Sequence, residues 1–433
     1  MSTIVALATP PLTSALAIIR LSGEDAYSIA QKVLKKDLTN ITQKTILFGG
    51  FYSQNESIDD VISLIYKGPK SFTGEDTIEF ICHGSLLIIQ QIISTLISLG
   101  AVQAERGEFS LRAYLNNKID LLQAEAINDI IQSQTTLSKN NALAILKGTL
   151  STKINIIREE IRSLLTLLET NIDYPEYYDI KQLTQKDIKP IIDNLILELT
   201  ELISENKKGI LITNGLKVVI IGKPNVGKST LLNALIQEDK AIVSSIPGTT
   251  RDIVEGKVIV NGLLLNLFDT AGIHLTNDEI EDIGINKAKE ILNKADLIIY
   301  ILENDNDNEL DYLLTNREYI KVLNKTDIKK SQSNLIQISA LTKNIEPLIN
   351  EIKKKFNLLD SNNVGLLNNT RHLGLINKAY LSLIEVKKLL AETEYLDLIT
   401  QELNNTYTYF NELIGNINVD ISKEIFSSFC VGK

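Results

Sequence analysis

The period of the hydrophobic positions changes twice along the chain. Up to about residue 115, short β-branched runs (Ile4-Val5-Ala6, Ala17-Ile18-Ile19-Arg20, Ile78-Glu79-Phe80-Ile81) are punctuated by Gly and Pro, with helical patterns at 24–35 and 84–99. This mixture predicts a small α+β domain. From about 120 the apolar residues Ile154, Ile157, Ile161, Leu164 and Leu168 recur at helical spacing, while Arg158, Glu159, Glu160 and Arg162 take the other face. Asp173-Tyr174-Pro175 should break that helix, and another amphipathic helix fits 187–206. Between about 215 and 357 the pattern alternates strands and helices as parallel α/β folds do, with strands expected at 217–221, 263–268, 297–302 and 319–323. Helical spacing then returns in Leu373, Ile376, Tyr380, Leu383 and Leu390, followed by 395–415 and 420–429. Helices on both sides of an α/β unit predict one helical domain with that unit inserted. The expected division is 1–116, 117–213 and 358–433 as the two parts of the helical domain, and 214–357 as the insert.

Composition changes this picture only at its edges. A length of 433 residues, with 44% hydrophobic and 23% charged residues, suits a soluble chain of two or three domains. The net charge of −10 argues against general nucleic-acid binding, so an RNA contact needs a local basic patch or a partner. Cys82, Cys430, His83, His274 and His372 have no zinc-type spacing. A reducing cytoplasm is the expected compartment. Met1-Ser2-Thr3-Ile4 opens no signal peptide. The most apolar run, Leu86 to Val102, is interrupted by Gln90 and Gln91 and reads as a core helix rather than a membrane span.

The α/β segment carries the clearest chemistry. Gly222-Lys223-Pro224-Asn225-Val226-Gly227-Lys228-Ser229, followed by Thr230, matches G-x-x-x-x-G-K-[ST] between an expected strand and an expected helix. Glycines let backbone N–H groups wrap phosphates, Lys228 neutralises them, and Ser229 ligates magnesium. Ser244-Ser245-Ile246-Pro247-Gly248-Thr249-Thr250, Asp269-Thr270-Ala271-Gly272, Asn324-Lys325-Thr326-Asp327 and Ser339-Ala340 follow in the order of the GTPase motif series. Thr250 completes the magnesium shell when a γ-phosphate is present, Asp269 holds a magnesium-bound water, and the Gly272 amide reaches the γ-phosphate. Asp327 accepts hydrogen bonds from guanine N1–H and the exocyclic amine, and Asn324 braces the base. Adenine offers neither donor in that arrangement, so GTP is expected rather than ATP.

Hydrolysis needs two further parts. Many small GTPases position water with a glutamine after the D-x-x-G glycine; here that place is Ile273. A carboxylate of Asp278-Glu279-Ile280-Glu281-Asp282 could serve, although the same run also reads as a solvated acidic helix start. Asn225 could help ligate a monovalent cation between the phosphates, with carbonyls from 244–249, or that segment could simply be a flexible switch loop.

Further motifs lie outside the α/β segment: Thr3-Ile4-Val5-Ala6 with Ala8-Thr9-Pro10-Pro11, Ile19-Arg20-Leu21-Ser22-Gly23, Ser71-Phe72-Thr73-Gly74-Glu75-Asp76, Arg106-Gly107-Glu108-Phe109-Ser110, the stretch from Arg112 to Leu121, Gln123-Ala124-Glu125-Ala126, and the final Cys430-Val431-Gly432-Lys433. With these the chain resembles, over its whole length, the MnmE (TrmE) family of tRNA uridine-modifying GTPases. The resemblance implies an N-terminal α+β folate-binding and dimerising domain, a helical domain and an inserted Ras-like P-loop GTPase domain. It implies a potassium ion held by Asn225, Ser244, Ile246 and Thr249, and Glu281 as general base acting through a water. It further implies that Arg20, Glu79, Lys118 and Lys433 contact 5,10-methylene- or 5-formyl-tetrahydrofolate, with Cys430 a possible functional thiol. The implied partners are a second copy of the chain, an FAD protein of the MnmG (GidA) type in a heterotetramer, and substrate tRNA, with no membrane. Read without the family, Arg20 and Lys118 are ordinary surface charges and Glu79 is the outward face of a strand. The chain departs from the family at Leu12-Thr13-Ser14-Ala15, where a glycine-rich turn is usual, and at His274, where arginine is common. A rival reading, a ribosome-assembly GTPase of the Era or Der type, lacks its second G domain or KH loop in this sequence.

Overall fold

Alternating and continuous apolar runs build two six-stranded sheets, one in each of two compact units. The computed structural model describes residues 2–174, 183–238, 256–260, 262–269, 292–305, 307–315, 317–328, 333–356, 365–392, 396–415, 419–427, 429 and 432. One unit comprises Met1–Asn128, Leu146–Leu183 and Thr393–Lys433; the other comprises Asp129–Ile145 and Thr184–Glu392.

In the first unit the strands are β1 (Ile4–Leu7), β2 (Ser14–Ser22), β3 (Thr45–Ser53), β4 (Glu56–Tyr66), β5 (Thr77–Gly84) and β6 (Val102–Gln103), in the order β3-β4-β5-β2-β1-β6. All neighbours pair antiparallel except β6, which runs parallel to β1. Period-two alternation sends Ile19, Leu21, Phe51, Val61, Ile78 and Phe80 into one core with helices Ala26–Leu34 and Leu86–Ser98. The opposite face carries two cross-strand rows. One is Arg20, Glu79, Leu64 and Ile46; the next is Ile18, Ile81, Ile62 and Phe48. Ile46, Phe48 and Ile62 on that face are exposed. The helix Thr149–Asp173 buries the stripe Ile154, Ile157, Ile161, Leu164 and Leu168, and ends at the expected break.

The second unit is built on β7 (Leu216–Ile221), β8 (Gly256–Val260), β9 (Leu263–Asp269), β10 (Leu297–Leu302), β11 (Tyr319–Leu323) and β12 (Ile336–Gln337), in the order β12-β11-β10-β7-β9-β8. Every pair is parallel except β8 with β9. Both faces are covered, so β10 is buried at each of its residues and reads as an unbroken apolar run. Val218, Ile220, Ile299 and Ile301 enter one core, and Val219, Ile221, Ile298 and Tyr300 enter the other. The expected strands are therefore all present, two of them with the expected ends. The β3–β4 hairpin is a further pair that the apolar pattern does not announce.

Helices Gln185–Asn214 and Thr370–Glu392 pack together in this unit. Thr184 and Asp187 form a capping box that starts the first of them ahead of its apolar stripe. The chain segment 366–368 leaving the α/β core is clamped by the helix Gln185–Asn214 and by Asp129 and Asn141, which lie in the helices Leu121–Gln132 and Thr136–Leu146. Asn141, fully buried, donates from Nδ2 to the Leu366 carbonyl (3.2 Å) and accepts from the Leu366 amide (2.8 Å). Asn368 Nδ2 donates to Asp129 Oδ2 (2.7 Å) and to Thr213 Oγ1 (3.1 Å). A Cβ added at Gly209 would lie 1.9 Å from the Leu367 carbonyl oxygen, so the segment crosses the helix where only glycine leaves room. Among the described residues no helix is long and apolar enough to cross a membrane.

Gly209→Ala should lower stability by about 1–3 kcal/mol, the usual cost of overpacking. Gly374, a helical glycine with nothing within 4 Å of an added Cβ, is the matched control, and Gly374→Ala should gain about 0.5–1 kcal/mol. Urea titration followed by circular dichroism checks both.

Candidate functional site

β7 ends at Ile221 between β9 and β10, both parallel to it. The crevice beyond the carboxyl end of such a strand is where open parallel sheets receive ligands. There the chain turns through 222–227 into the helix Lys228–Glu238. Gly222 has φ +157°, and an added Cβ would lie 2.6 Å from the Ile301 carbonyl oxygen; Gly227 has φ +101°, and its Cβ would lie 2.4 Å from Asn324 Nδ2. Side chains are thus shut out at both ends of the turn by neighbours as well as by dihedrals, and the backbone N–H groups of the helix start are left for an anion.

The Lys228 ammonium donates to the carbonyls of Gly222 and Lys223, each at 2.9 Å, so it is already held over its own loop. Ser229 and Thr230 are exposed, and their hydroxyls have no partner among the described residues. Asn225 takes φ +62° and is exposed, which leaves its carboxamide unengaged among the described residues. Lys223 pairs with Glu309 (2.6 Å) and Asp307 (3.1 Å), whose hydrogen bonds raise its pKa. Exposed pairs of this kind contribute little stability.

Asn324, 5% exposed, follows β11 and closes the site. Its Nδ2 donates to the Val226 carbonyl and its Oδ1 accepts from the Ala340 amide, both at 2.9 Å. Lys325, at φ +64°, pairs its ammonium with Glu303 at 3.1 Å. Thr326 Oγ1 donates to the Ile338 carbonyl (2.9 Å), fixing the turn that carries Asp327. The Ser339 hydroxyl donates to Asp327 Oδ1 at 2.6 Å. Asp327 Oδ2 accepts nothing from the described residues, so the carboxylate keeps capacity for two donors on one ligand edge. Asp269 ends β9 opposite Ile220, one residue before the end of β7, which brings its backbone beside the phosphate turn.

A second polar site lies in the first unit. Arg20 Nε and Nη2 donate to Glu79 Oε1 (2.8 and 2.7 Å), and Nη1 donates to the Gly432 carbonyl (2.9 Å). The pair follows from strand register, Arg20 lying opposite Glu79. Gly432 has φ +88°, and an added Cβ would lie 2.4 Å from the Leu7 carbonyl oxygen, so the tail is laid closely on β1. Glu79 Oε2 accepts nothing from the described residues. Lys118 Nζ donates to the Pro69 carbonyl (2.9 Å) and keeps two further N–H groups. The loop 67–76 therefore touches both cations, because its Phe72 ring centroid stands 5.8 Å from the Arg20 guanidinium carbon, with Phe109 at 5.4 Å on another side. Phe72 falls in the motif Ser71–Asp76, but the sequence alone assigns it no role, because its neighbour Arg20 lies on a distant strand. The anion-attracting pair, a free acceptor and an aromatic wall fit a flat heteroaromatic ligand with an acidic tail.

Ser244, Ser245, Ile246, Pro247, Gly248, Thr249, Thr250, Thr270, Ala271, Gly272, Glu281, Cys430 and Lys433 lie outside the described residues, as do the side chain of Asp269 and the departure at His274.

A family model described as the MnmE helical domain matches residues 121–430, and one described as the N-terminus of the GTP-binding protein TrmE matches residues 3–118. The tRNA modification GTPase MnmE of Ureaplasma parvum serovar 3 is 40% identical over 439 residues, covering 100% of both chains. That of Streptococcus thermophilus is 39% identical and covers 100% of this chain and 98% of its own. Among solved structures, the FeoB G-domain from Methanococcus jannaschii is 27% identical over 33% of this chain and 97% of its own, with a TM-score of 0.26.

Gly227→Ala should weaken nucleotide binding without unfolding the chain, because the added methyl displaces the Asn324 carboxamide. A loss of fluorescent-GDP affinity of about a hundredfold, with an unchanged circular dichroism spectrum, is expected.

Proposed function

The chain belongs to the MnmE family of tRNA modification GTPases and is a GTP hydrolase acting in tRNA modification; on that premise we propose a potassium-activated enzyme that works with an FAD protein of the MnmG type. Together they add a carboxymethylaminomethyl or aminomethyl group to C5 of the wobble uridine of certain tRNAs, the carbon coming from methylene-tetrahydrofolate. The observation that carries the nucleotide half of this reading is the Asn324 carboxamide, which ties the Val226 carbonyl of the phosphate turn to the Ala340 amide beside Asp327. The folate half is supported by the engaged Arg20–Glu79 pair with its one open carboxylate oxygen.

On this reading Lys228 exchanges its two carbonyl partners for β- and γ-phosphate oxygens. The amides of 225–230 donate to the phosphates, and the hydroxyls of Ser229 and Thr250 hold magnesium. Asp327 accepts both donors of the guanine edge. An adenine would leave that carboxylate unsatisfied, at a cost of about 1–3 kcal/mol or more. Asn225, with Ser244, Ile246 and Thr249, places potassium where other GTPases use an arginine. Ile273 offers no polar atom to a water, and Glu281 takes the general-base role. Arg20, Lys118 and Lys433 receive the anionic tail of 5,10-methylene- or 5-formyl-tetrahydrofolate, while Glu79 accepts from its pterin amino edge. The exposed outer sheet face of Ile46, Phe48 and Ile62, continuous with the Arg20–Glu79 row, supports pairing with a second copy. The protein then acts in the cytoplasm as a homodimer, joined by its flavoprotein in a heterotetramer.

GTP turnover should be faster in potassium chloride than in sodium chloride at equal ionic strength, by about tenfold or more. Glu281→Ala should remove about 10²–10⁴-fold of that rate while nucleotide affinity is retained. Equal rates in the two salts would withdraw the cation site. Asp327→Asn should weaken GTP binding by about tenfold or more and favour xanthosine triphosphate, whose ring offers an acceptor where guanine has its amine. Nucleoside analysis of tRNA from cells lacking the protein reads the pathway directly, and unchanged wobble-uridine modification would refute it.

A further inference from the structure

The loop 67–76 is built with more internal bonding than a surface connection between β4 and β5 requires. Its ends are closed by Lys67 Nζ to Asp76 Oδ2 (2.6 Å), the Gly68 amide to Asp76 Oδ1 (2.9 Å) and Ser71 Oγ to the Glu75 carbonyl (2.5 Å). Its centre is a buried polar knot. The Ser22 hydroxyl meets Thr73 Oγ1 at 2.8 Å and Thr77 Oγ1 at 3.2 Å, and donates to Glu75 Oε2 at 2.8 Å. Ser22 and Thr73 are 0% exposed. Arg112, 3% exposed, spans Glu75 Oε1 (3.1 Å) and Glu108 Oε1 (2.8 Å). Asn116 Nδ2 donates to the Thr73 carbonyl (2.7 Å), and Gly74, at φ +80°, lies against Asn116 and Lys118.

Burying a guanidinium between two carboxylates costs desolvation that a plain apolar filling would avoid. The arrangement instead gives position. It holds Phe72, 37% exposed, against Arg20, and it presents the Pro69 carbonyl to Lys118. One loop thereby meets both cations and carries a partly exposed aromatic ring beside Arg20.

We propose that this loop is the specificity wall of the folate site, with Phe72 as a ligand-contacting residue that covers the flat face of a pterin ring, and Ser22, Thr73, Glu75 and Arg112 as its positioning residues. The proposal rests on the folate reading above. An apolar ring face against Phe72 and an acceptor at Glu79 select for a flat heteroaromatic amine. Lys118 selects for an acidic tail.

The test uses the full chain and titration calorimetry with 5-formyltetrahydrofolate, with GTP turnover and thermal midpoint measured on the same preparations. Phe72→Ala and Glu75→Gln should each raise the dissociation constant by about tenfold or more, with GTP turnover unchanged. Glu75→Gln, which leaves Arg112 its bond to Glu108, should also speed amide hydrogen exchange across 69–75, whereas Phe72→Ala should not. If Lys118→Ala weakens binding while both loop variants keep wild-type affinity, the folate reading stands and the loop's role is overturned. If the wild-type chain binds no folate, the folate reading falls and takes this role with it.

Discussion

The nucleotide site depends on one buried carboxamide. Asn324 is held by both ends of its carboxamide, and Gly227 has no room to be anything but glycine, because a Cβ there would meet Asn324 Nδ2 at 2.4 Å. The two residues are 97 positions apart in sequence, yet each sets the identity of the other. Replacing Asn324 by an apolar residue would strand the Val226 carbonyl and the Ala340 amide, about 1–3 kcal/mol for each buried group. The Val226 carbonyl belongs to the phosphate turn, and the Ala340 amide stands beside the serine that orients Asp327. Phosphate recognition and base recognition are therefore one cooperative unit.

The polar site of the other unit follows a different logic. Its central pair comes from antiparallel register rather than from a turn, since Arg20 and Glu79 face one another as surely as Ile19 and Phe80 do on the opposite face. Three of the five N–H groups of Arg20 are engaged, by Glu79 and by the Gly432 carbonyl, so its orientation is set before any ligand arrives. Preorganisation of this kind lowers what binding must expend on ordering side chains.

This difference explains what the sequence reveals. A phosphate turn is local: its glycines, lysine and hydroxyl lie within eight residues, and their order is dictated by one strand-to-helix turn. Gly222 and Lys228 could be assigned from their spacing for that reason, and Asn324 and Asp327 because they follow an expected buried strand downstream of that turn. Arg20 and Glu79 become legible only through family resemblance, because their meaning depends on a strand pairing between distant segments. Phe72 and the Glu75–Arg112–Glu108 link remain hidden even then, since only the folded loop joins them to Arg20. The β3–β4 hairpin was silent for a related reason. Gly49-Gly50 in the middle of β3 reads as a loop, and its turn is Gln54-Asn55, with Gln54 at φ +54°, instead of a glycine-bearing dipeptide. The helix Gln185–Asn214 outruns the expected 187–206 at both ends, its start set by the Thr184–Asp187 capping box and its end by Gly215, with its buried face continuing through Gly209 to Ile212.

The preformed state of the phosphate turn also constrains how hydrolysis is used. Lys228 already rests on two carbonyls, and Val226 is already tied to Asn324. A ligand shifts a conformational equilibrium only as far as its contacts differ between the two states. Contacts to the α- and β-phosphates and to guanine are common to GTP and GDP, so the residues that make them cannot tell the two nucleotides apart. Discrimination falls to groups that reach the γ-phosphate or the metal it completes, which in the proposed mechanism are Thr250 and the Gly272 amide. Arg20, Glu79 and Lys118 share no residue with the nucleotide set, and on the proposed reading GTP is not a reactant in the carbon chemistry. On the proposed reading, hydrolysis sets the timing of the modification step rather than supplying its chemistry.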